Sequence, residues 1–351
     1  MKALIKKIIP RDLTIKIYHL KTDLNFFMIK FFSRSGFLAS LYYFIFSKEF
    51  YREQRSVLSG RIEYKSSKMK ESSALLRRNI HRLEKGLIMQ PRRATFASAY
   101  IGETVDCYKV ALASTILCAN EKKWAHDVLI EYFSIIGSDP KIDEAKSSFK
   151  KNTDFIKNEP SIPYSHKDLG DIGVNYTQLL SLFKHRRSVR WYKEKPVPME
   201  LINKAVNAAT LAPSACNRQP YQFFVVNNSE KATDIAKCAM GTTGFSENIQ
   251  CLIAIVGDLS AYPAERDRHV IYIDSSLAAM QLMLAFETLG LSSCSINWPD
   301  VEALEKRISE KLALEYHQRV VMLMAVGYAE PDGGIPFSQK KQHNILVKDV
   351  S

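Results

Sequence analysis

The stretch "DSSLAAMQLMLAFETLGLSSCSI", residues 274–296, constrains the fold more than any other part of the chain. It is apolar almost all round instead of along one stripe, and Gly290 closes its helical part. A helix of that composition belongs in the centre of a domain, covered by other elements. Around it are three short apolar runs, "FFVV" (223–226), "CLIAIVG" (251–257) and "VVMLMAVGY" (320–328), which fit buried strands. "PMELINKAVNAATLA" opens with Pro198, a favoured first helical residue, puts Ile202, Val206 and Ala209 on one face, and stops before Pro213. The C-terminal half is therefore expected to be mixed helix and strand around one sheet, an α+β domain.

The N-terminal half reads differently. Residues 1–60 mix aromatic and aliphatic residues with lysines, a basic amphipathic helical segment. Such helices suit a peripheral membrane contact, and equally a protein core or a partner subunit. Residues 61–160 form a helical region, with apolar residues at three- and four-residue spacing in "SSALLRRNIHRLEKGLIM" and "TVDCYKVALASTILCANEKKWAHDVLIEYFSII". Residues 161–174 read as a linker, and 175–351 as the α+β domain. Charge follows this division. Residues 1–100 carry 21 Lys+Arg against 7 Asp+Glu, whereas the rest carry 28 against 30. The +12 net charge thus belongs to the N-terminal third, which lacks any nucleic-acid reading motif, so nucleic acid is not an expected partner.

No secretory signal is expected, and the apolar run "GFLASLYYFIF" (36–46), at 11 residues, is short of the roughly 20 that a spanning helix needs. The six cysteines have neither Cys-x-x-Cys nor zinc spacing. They read as small buried residues in a reducing compartment, without a metal site, and the expected location is cytoplasmic.

Glycine-rich nucleotide loops, a Gly-x-Ser-x-Gly elbow and a recognisable Ser or Cys nucleophile with its base are all missing. What remains is four segments in order: "HRRSVRWY" (185–192), "LAPSACNRQPYQFFVV" (211–226), "LGLSSCSINW" (289–298) and "FSQKKQHN" (337–344). Any of them alone is weak. "RRSVR" by itself is more often a solvated face, and Asn and Gln between prolines are usually turn residues.

Together, over about residues 175–347, they resemble the FMN-dependent nitroreductase family. The resemblance implies a nitroreductase-like fold, with a mostly antiparallel central sheet flanked by helices and preceded here by an all-α N-terminal region. It also implies a homodimer with FMN at shared interface sites, NADH or NADPH as the electron donor, and a small-molecule acceptor. Arg186, Arg187 and Arg190, with the Ser188 hydroxyl, would hold the phosphate, whose oxygens match a guanidinium fork. Lys340 or Lys341 would add a cation from the C-terminal segment. Asn217 and Gln219 would face the ring edge, since amides both donate and accept. Ser295, Ile296 and Asn297 would bring backbone groups to the flavin's reactive nitrogen. No side chain is expected as a catalytic acid or base, because the chemistry would lie on the flavin.

Asn297 and Trp298 replace the acidic residue and glycine of many members, which alters the pocket over the ring. Two other readings go with these residues: a flavin-dependent dehydrogenase or flavin-modifying enzyme of a biosynthetic, surface-polysaccharide pathway, and a non-catalytic scaffold with a vestigial flavin site. "RRNIHRLEKGLIMQPRR" (77–93) is faintly similar to a segment of members found near such polysaccharide genes. Its His81, Glu84 and Lys85 either line the site from above or simply pair at the surface.

Overall fold

The computed structural model describes residues 11–66, 69–152, 154–155 and 159–350. It divides into two compact units, Met1–Gln54 and Arg55–Ser351. The first holds helices α1 (Arg11–Phe32) and α2 (Gly36–Ile45), with Ser35 capping α2 by accepting from the Leu38 N–H. The Phe32 ring meets those of Tyr42 and Phe46. No residue of α2 is buried, and within residues 11–60 the stretches 33–35 and 46–50 are not helical. Residues 1–10 lie outside the described residues.

The second unit begins with α3 (Tyr51–Ser66), most of which belongs to it. Gly60 lets α3 approach the Leu259 backbone closely, since a Cβ there would lie 2.7 Å from the Leu259 carbonyl carbon. Helices α4 (Ala74–Leu87), α5 (Ile101–Ala113), α6 (Ala119–Ile135) and α7 (Pro140–Ser148) then share a core. Leu76, Ile80, Leu83, Val105, Tyr108, Leu129, Tyr132 and Ile142 all lie buried in it. The three- and four-residue spacing produces this core, because it stacks the apolar side chains of each helix on one face. Residues 161–174 contain no α-helix or strand, only a short 3₁₀ turn, His166–Asp168.

The remainder runs α8 (Tyr176–His185), α9 (Met199–Ala209), β1 (Tyr221–Val226), α10 (Ser229–Ala236), β2 (Cys251–Asp258), α11 (Val270–Thr288), β3 (Ser292–Asn297), α12 (Glu302–Leu312), β4 (Gln318–Gly327) and α13 (His343–Leu346). The sheet order is β1-β2-β4-β3, with every neighbouring pair antiparallel. Alternate residues feed two cores. Ile253, Ile255, Met324 and Val326 face α9 and α11, while Leu252, Ala254, Leu323 and Ala325 face the other side. This is an α+β domain with an antiparallel sheet between helices, preceded by an all-α region, as expected.

Gly290 closes the central helix as read: α11 ends at Thr288, Gly290 takes φ +74°, and the serine-rich residues that follow form edge strand β3. Two sequence readings need correction. The helix α11 is not covered all round. Ile273, Leu277 and Met280, spaced four and three residues apart, are 51%, 43% and 38% exposed on one face. Of the cysteines only Cys238, Cys251 and Cys294 are buried, whereas Cys118 is exposed. Among the described residues, the stretch Glu265–Thr288 alone has the length and apolarity to cross a membrane, and it contains the core helix α11.

Candidate functional site

Where α8 ends, the chain turns into the arginine cluster. Arg186 caps the helix, its N–H bonding the Leu182 carbonyl at 3.0 Å. The Arg187 guanidinium donates to the carbonyls of Pro336 (2.8 Å) and Phe337 (2.5 Å), which ties the C-terminal segment to this point. Ser188 forms a parallel bridge with Ser293 on the free edge of β3, and the Val189 N–H reaches the Ser293 carbonyl at 3.1 Å. Arg190 lies 5.8 Å from the Phe245 ring centroid. Among the described residues none of these three arginines forms a salt bridge with a carboxylate, and the Ser293 hydroxyl is buried without a partner. Guanidiniums without a carboxylate partner among the described residues, beside the unpaired Ser293 hydroxyl, are the donor set of an anion site, and FMN's phosphate fits it.

An acid that Arg186 acts on is Glu287. Its carboxylate takes a 2.9 Å contact from His185 Nδ1, while its other oxygen is buried and unpaired. Burial pushes its pKa up, against the pull of His185 and Arg186. The buried Cys294 thiol is likewise pushed up by burial, with Arg190 and Arg186 opposing. Both arginines are thus close enough to β3 to act on it.

A second cluster is built on the loop between α9 and β1. Cys216, Asn217 and Gln219 take φ of 53°, 50° and 50°, left-handed conformations that cost on the order of 1 kcal/mol each without glycine. Asp274 holds the loop: its Oδ2 accepts from the Ser214 hydroxyl (2.7 Å) and the Ala215 N–H (2.9 Å). The Ser214 hydroxyl oxygen in turn accepts from the Gln219 N–H at 2.8 Å. Gln219 Nε2 donates to the Thr210 carbonyl (2.9 Å), and its Oε1 accepts from Arg77 (3.2 Å). Arg77 Nε also donates to the Asn217 carbonyl at 2.8 Å.

Ser295 and Asn297 are exposed on β3, whereas the Ile296 side chain is buried in the core, leaving only its backbone available. Lys340 and Lys341 are exposed, and Arg187 ties their segment to the first cluster through Pro336 and Phe337. Trp298 is packing: it is buried, and its indole N–H bonds Glu305 at 2.7 Å. His81 pairs with Glu84 at 3.1 Å, and Glu84 accepts from the Trp124 indole at 2.9 Å.

Among the described residues no hydrogen bond, ion pair or ring contact joins the arginine cluster to the Asn217–Gln219 loop. The two sit at opposite ends of α11, at Glu287 and Asp274. That is roughly 20 Å along the axis at about 1.5 Å per residue. Sequence reading missed Asp274 and Arg77, since neither belongs to a motif that names a partner.

The nitroreductase family model matches residues 183–243 and 240–328. A Methanothermobacter thermautotrophicus protein named as an NADH dehydrogenase/NAD(P)H nitroreductase is 31% identical over 136 residues, 38% of this chain and 67% of that protein. The iodotyrosine deiodinase of Thermotoga neapolitana is 26% identical over 187 residues, covering 48% of this chain and 96% of its own. The solved FMN-dependent nitroreductase from Clostridium difficile is 28% identical, with a TM-score of 0.40 over 45% of this chain and 92% of that one. The chain belongs to the nitroreductase family and is an oxidoreductase. The family match starts at residue 183, so the helical region and the first unit lie outside it.

Proposed function

We propose that the protein binds FMN and passes electrons from NADH or NADPH to a small organic acceptor, as a cytoplasmic homodimer. The observation that carries this is the set of three guanidiniums without carboxylate partners among the described residues, beside two serine hydroxyls, in a chain of this family. When bound, FMN supplies the redox chemistry. Arg186, Arg187, Arg190 and Ser188 hold its phosphate, and Lys340 or Lys341 adds charge from the segment that Arg187 secures. Asn217 and Gln219 would orient the ring edge, and the backbone of residues 295–297 on β3 would face the ring. The protein's task is positioning and exclusion of water. No acid–base pair is required of it.

The dimer reading draws on α11. Pairing two copies antiparallel along Ile273, Leu277 and Met280 would cover an apolar stripe that is otherwise wet. With the two-fold axis between Met280 and Gln281, the pairing would also set the Asp274 end of one helix beside the Glu287 end of the other, uniting the two clusters. Residues 11–46 are read as docking on an anionic lipid surface. Leu13, Ile17, Leu20, Leu24, Phe27 and Phe31 repeat every three or four residues on α1, all exposed, and residues 1–54 carry ten Lys+Arg against four Asp+Glu.

The purified protein should be yellow, and its flavin absorbance should bleach anaerobically with NADH or NADPH. Arg186→Ala should lose FMN at least tenfold more readily while its Tm moves little. A colourless protein that takes up no added FMN refutes the reading.

A further inference from the structure

The helical region reaches directly into the loop that carries the candidate ring-binding amides. Arg77, on α4, is 15% exposed and uses all three guanidinium nitrogens. Nε bonds the Asn217 carbonyl at 2.8 Å, Nη2 bonds Gln219 Oε1 at 3.2 Å, and Nη1 bonds Glu121 Oε2 at 3.0 Å. Glu121 is itself fixed, 3% exposed, by the Ser72 hydroxyl (2.6 Å) and the Ser73 N–H (2.8 Å). The guanidinium also lies 5.4 Å from the Trp124 ring centroid, and Trp124 is held by Glu84. Arg77 is therefore locked from the helical side before it meets the loop.

We infer that Arg77 is a positioning residue for the cofactor ring, and that the helical region forms a fixed roof whose docking sets the Asn217–Gln219 loop. The inference rests on the flavin reading above. Its physical content is in Gln219. With Oε1 receiving from Arg77 and Nε2 donating to Thr210, the amide cannot flip, so one N–H and one lone pair remain, in a fixed sense. The bond to the Asn217 carbonyl at the same time holds a left-handed backbone in place while the Asn217 side chain stays unengaged by any hydrogen bond among the described residues. An Arg77–Glu121 pair alone would serve to dock the two parts. The two further bonds, both to residues of the loop, are what a positioning role adds.

Arg77→Lys is the main test, because lysine keeps the charge beside Glu121 but cannot make the forked contact. Its Tm should stay within a few degrees of the wild type. Its FMN Kd, read by flavin fluorescence quenching, should rise about tenfold, the loss of one charge-assisted hydrogen bond. The visible circular dichroism of bound flavin should change with it. Arg77→Ala should do the same or more, and combining it with Gln219→Ala should add less than the two separate effects. Wild-type affinity and an unchanged dichroism spectrum in Arg77→Lys overturn the inference, and strict additivity in the double variant overturns the route through Gln219. A wild-type protein that binds no FMN overturns the flavin reading itself, a distinct outcome.

Discussion

Residues 11–45 and residues 74–148 are both helical and both rich in apolar residues, yet they do opposite things with them. In the second region Leu76, Ile80 and Leu83 stack at three- and four-residue spacing and are fully buried. In the first, Leu20, Leu24 and Phe27 follow the same spacing and stay 69%, 58% and 66% exposed. The difference lies in what surrounds the stripe. Asn79, on the buried side of α4, is satisfied by Glu103 at 2.9 Å, and three neighbouring helices cover the rest. On α1 the apolar residues spill beyond one stripe, to Ile15, Tyr18, Phe26 and Ile29, all exposed. Periodicity identifies a helix, but burial needs a partner, and the partner proposed for α1 and α2 is a lipid surface.

The largest effect that could break this contrast is on vesicle binding. Phe27→Glu combined with Phe44→Glu, at positions 66% and 75% exposed, should weaken cosedimentation with anionic vesicles about 100-fold. This is roughly a tenfold loss per phenylalanine removed from the acyl boundary. Tm should hardly move. Unchanged vesicle binding, or none in the wild type, would instead assign the exposed face to a protein partner.

The same contrast should be visible in stability. Leu83→Ala leaves a cavity among α4, α5 and α6 and should cost about 2–5 kcal/mol by denaturant unfolding. Leu24→Ala, 58% exposed, should cost no more than about 0.5 kcal/mol. Equal losses would show that α1 is packed in solution.

Much of the sheet domain was legible because its runs are long and apolar. Residues 251–257 and 320–328 read directly as β2 and β4. β3 was not, since Ser292, Ser293 and Ser295 have little strand preference and tertiary pairing with β4 decides their state. In the candidate site, the arginine cluster and the Asn217–Gln219 loop were legible as motifs. Arg77 was not, because 140 positions separate it from Asn217 and a lone arginine on a helix reads as surface charge. The exposed face of α11 was hidden for a related reason: composition says how much of a helix is apolar, not which part of it the chain covers by itself.

The smallest expected effect concerns how the helical region keeps its polar groups, and it depends on pH. Asp127 is 7% exposed; its carboxylate is paired with Lys123 and accepts from the Ser161 N–H at 2.8 Å. Its other oxygen lies 3.1 Å from His126 Nδ1, and His126 Nε2 accepts from the Asn152 N–H at 3.1 Å, so the neutral ring carries its proton on Nδ1 and donates to Asp127. Burial works to raise the Asp127 pKa, but the Lys123, Ser161 and His126 contacts outweigh it and hold it below the usual carboxylate value. A depressed folded-state pKa means stability that is present above the unfolded pKa of about 3.9 and lost as pH falls through the folded value. Asp127→Asn should therefore lower unfolding stability by on the order of 1 kcal/mol at pH 7. The gap to the wild type should close in acid, below the folded pKa. Vesicle binding should not respond to this substitution at any pH, because Asp127 belongs to the region that buries its apolar face. A gap that persists undiminished in acid would mean that the asparagine acts through packing, and the charged contacts of Asp127 would then carry none of the difference.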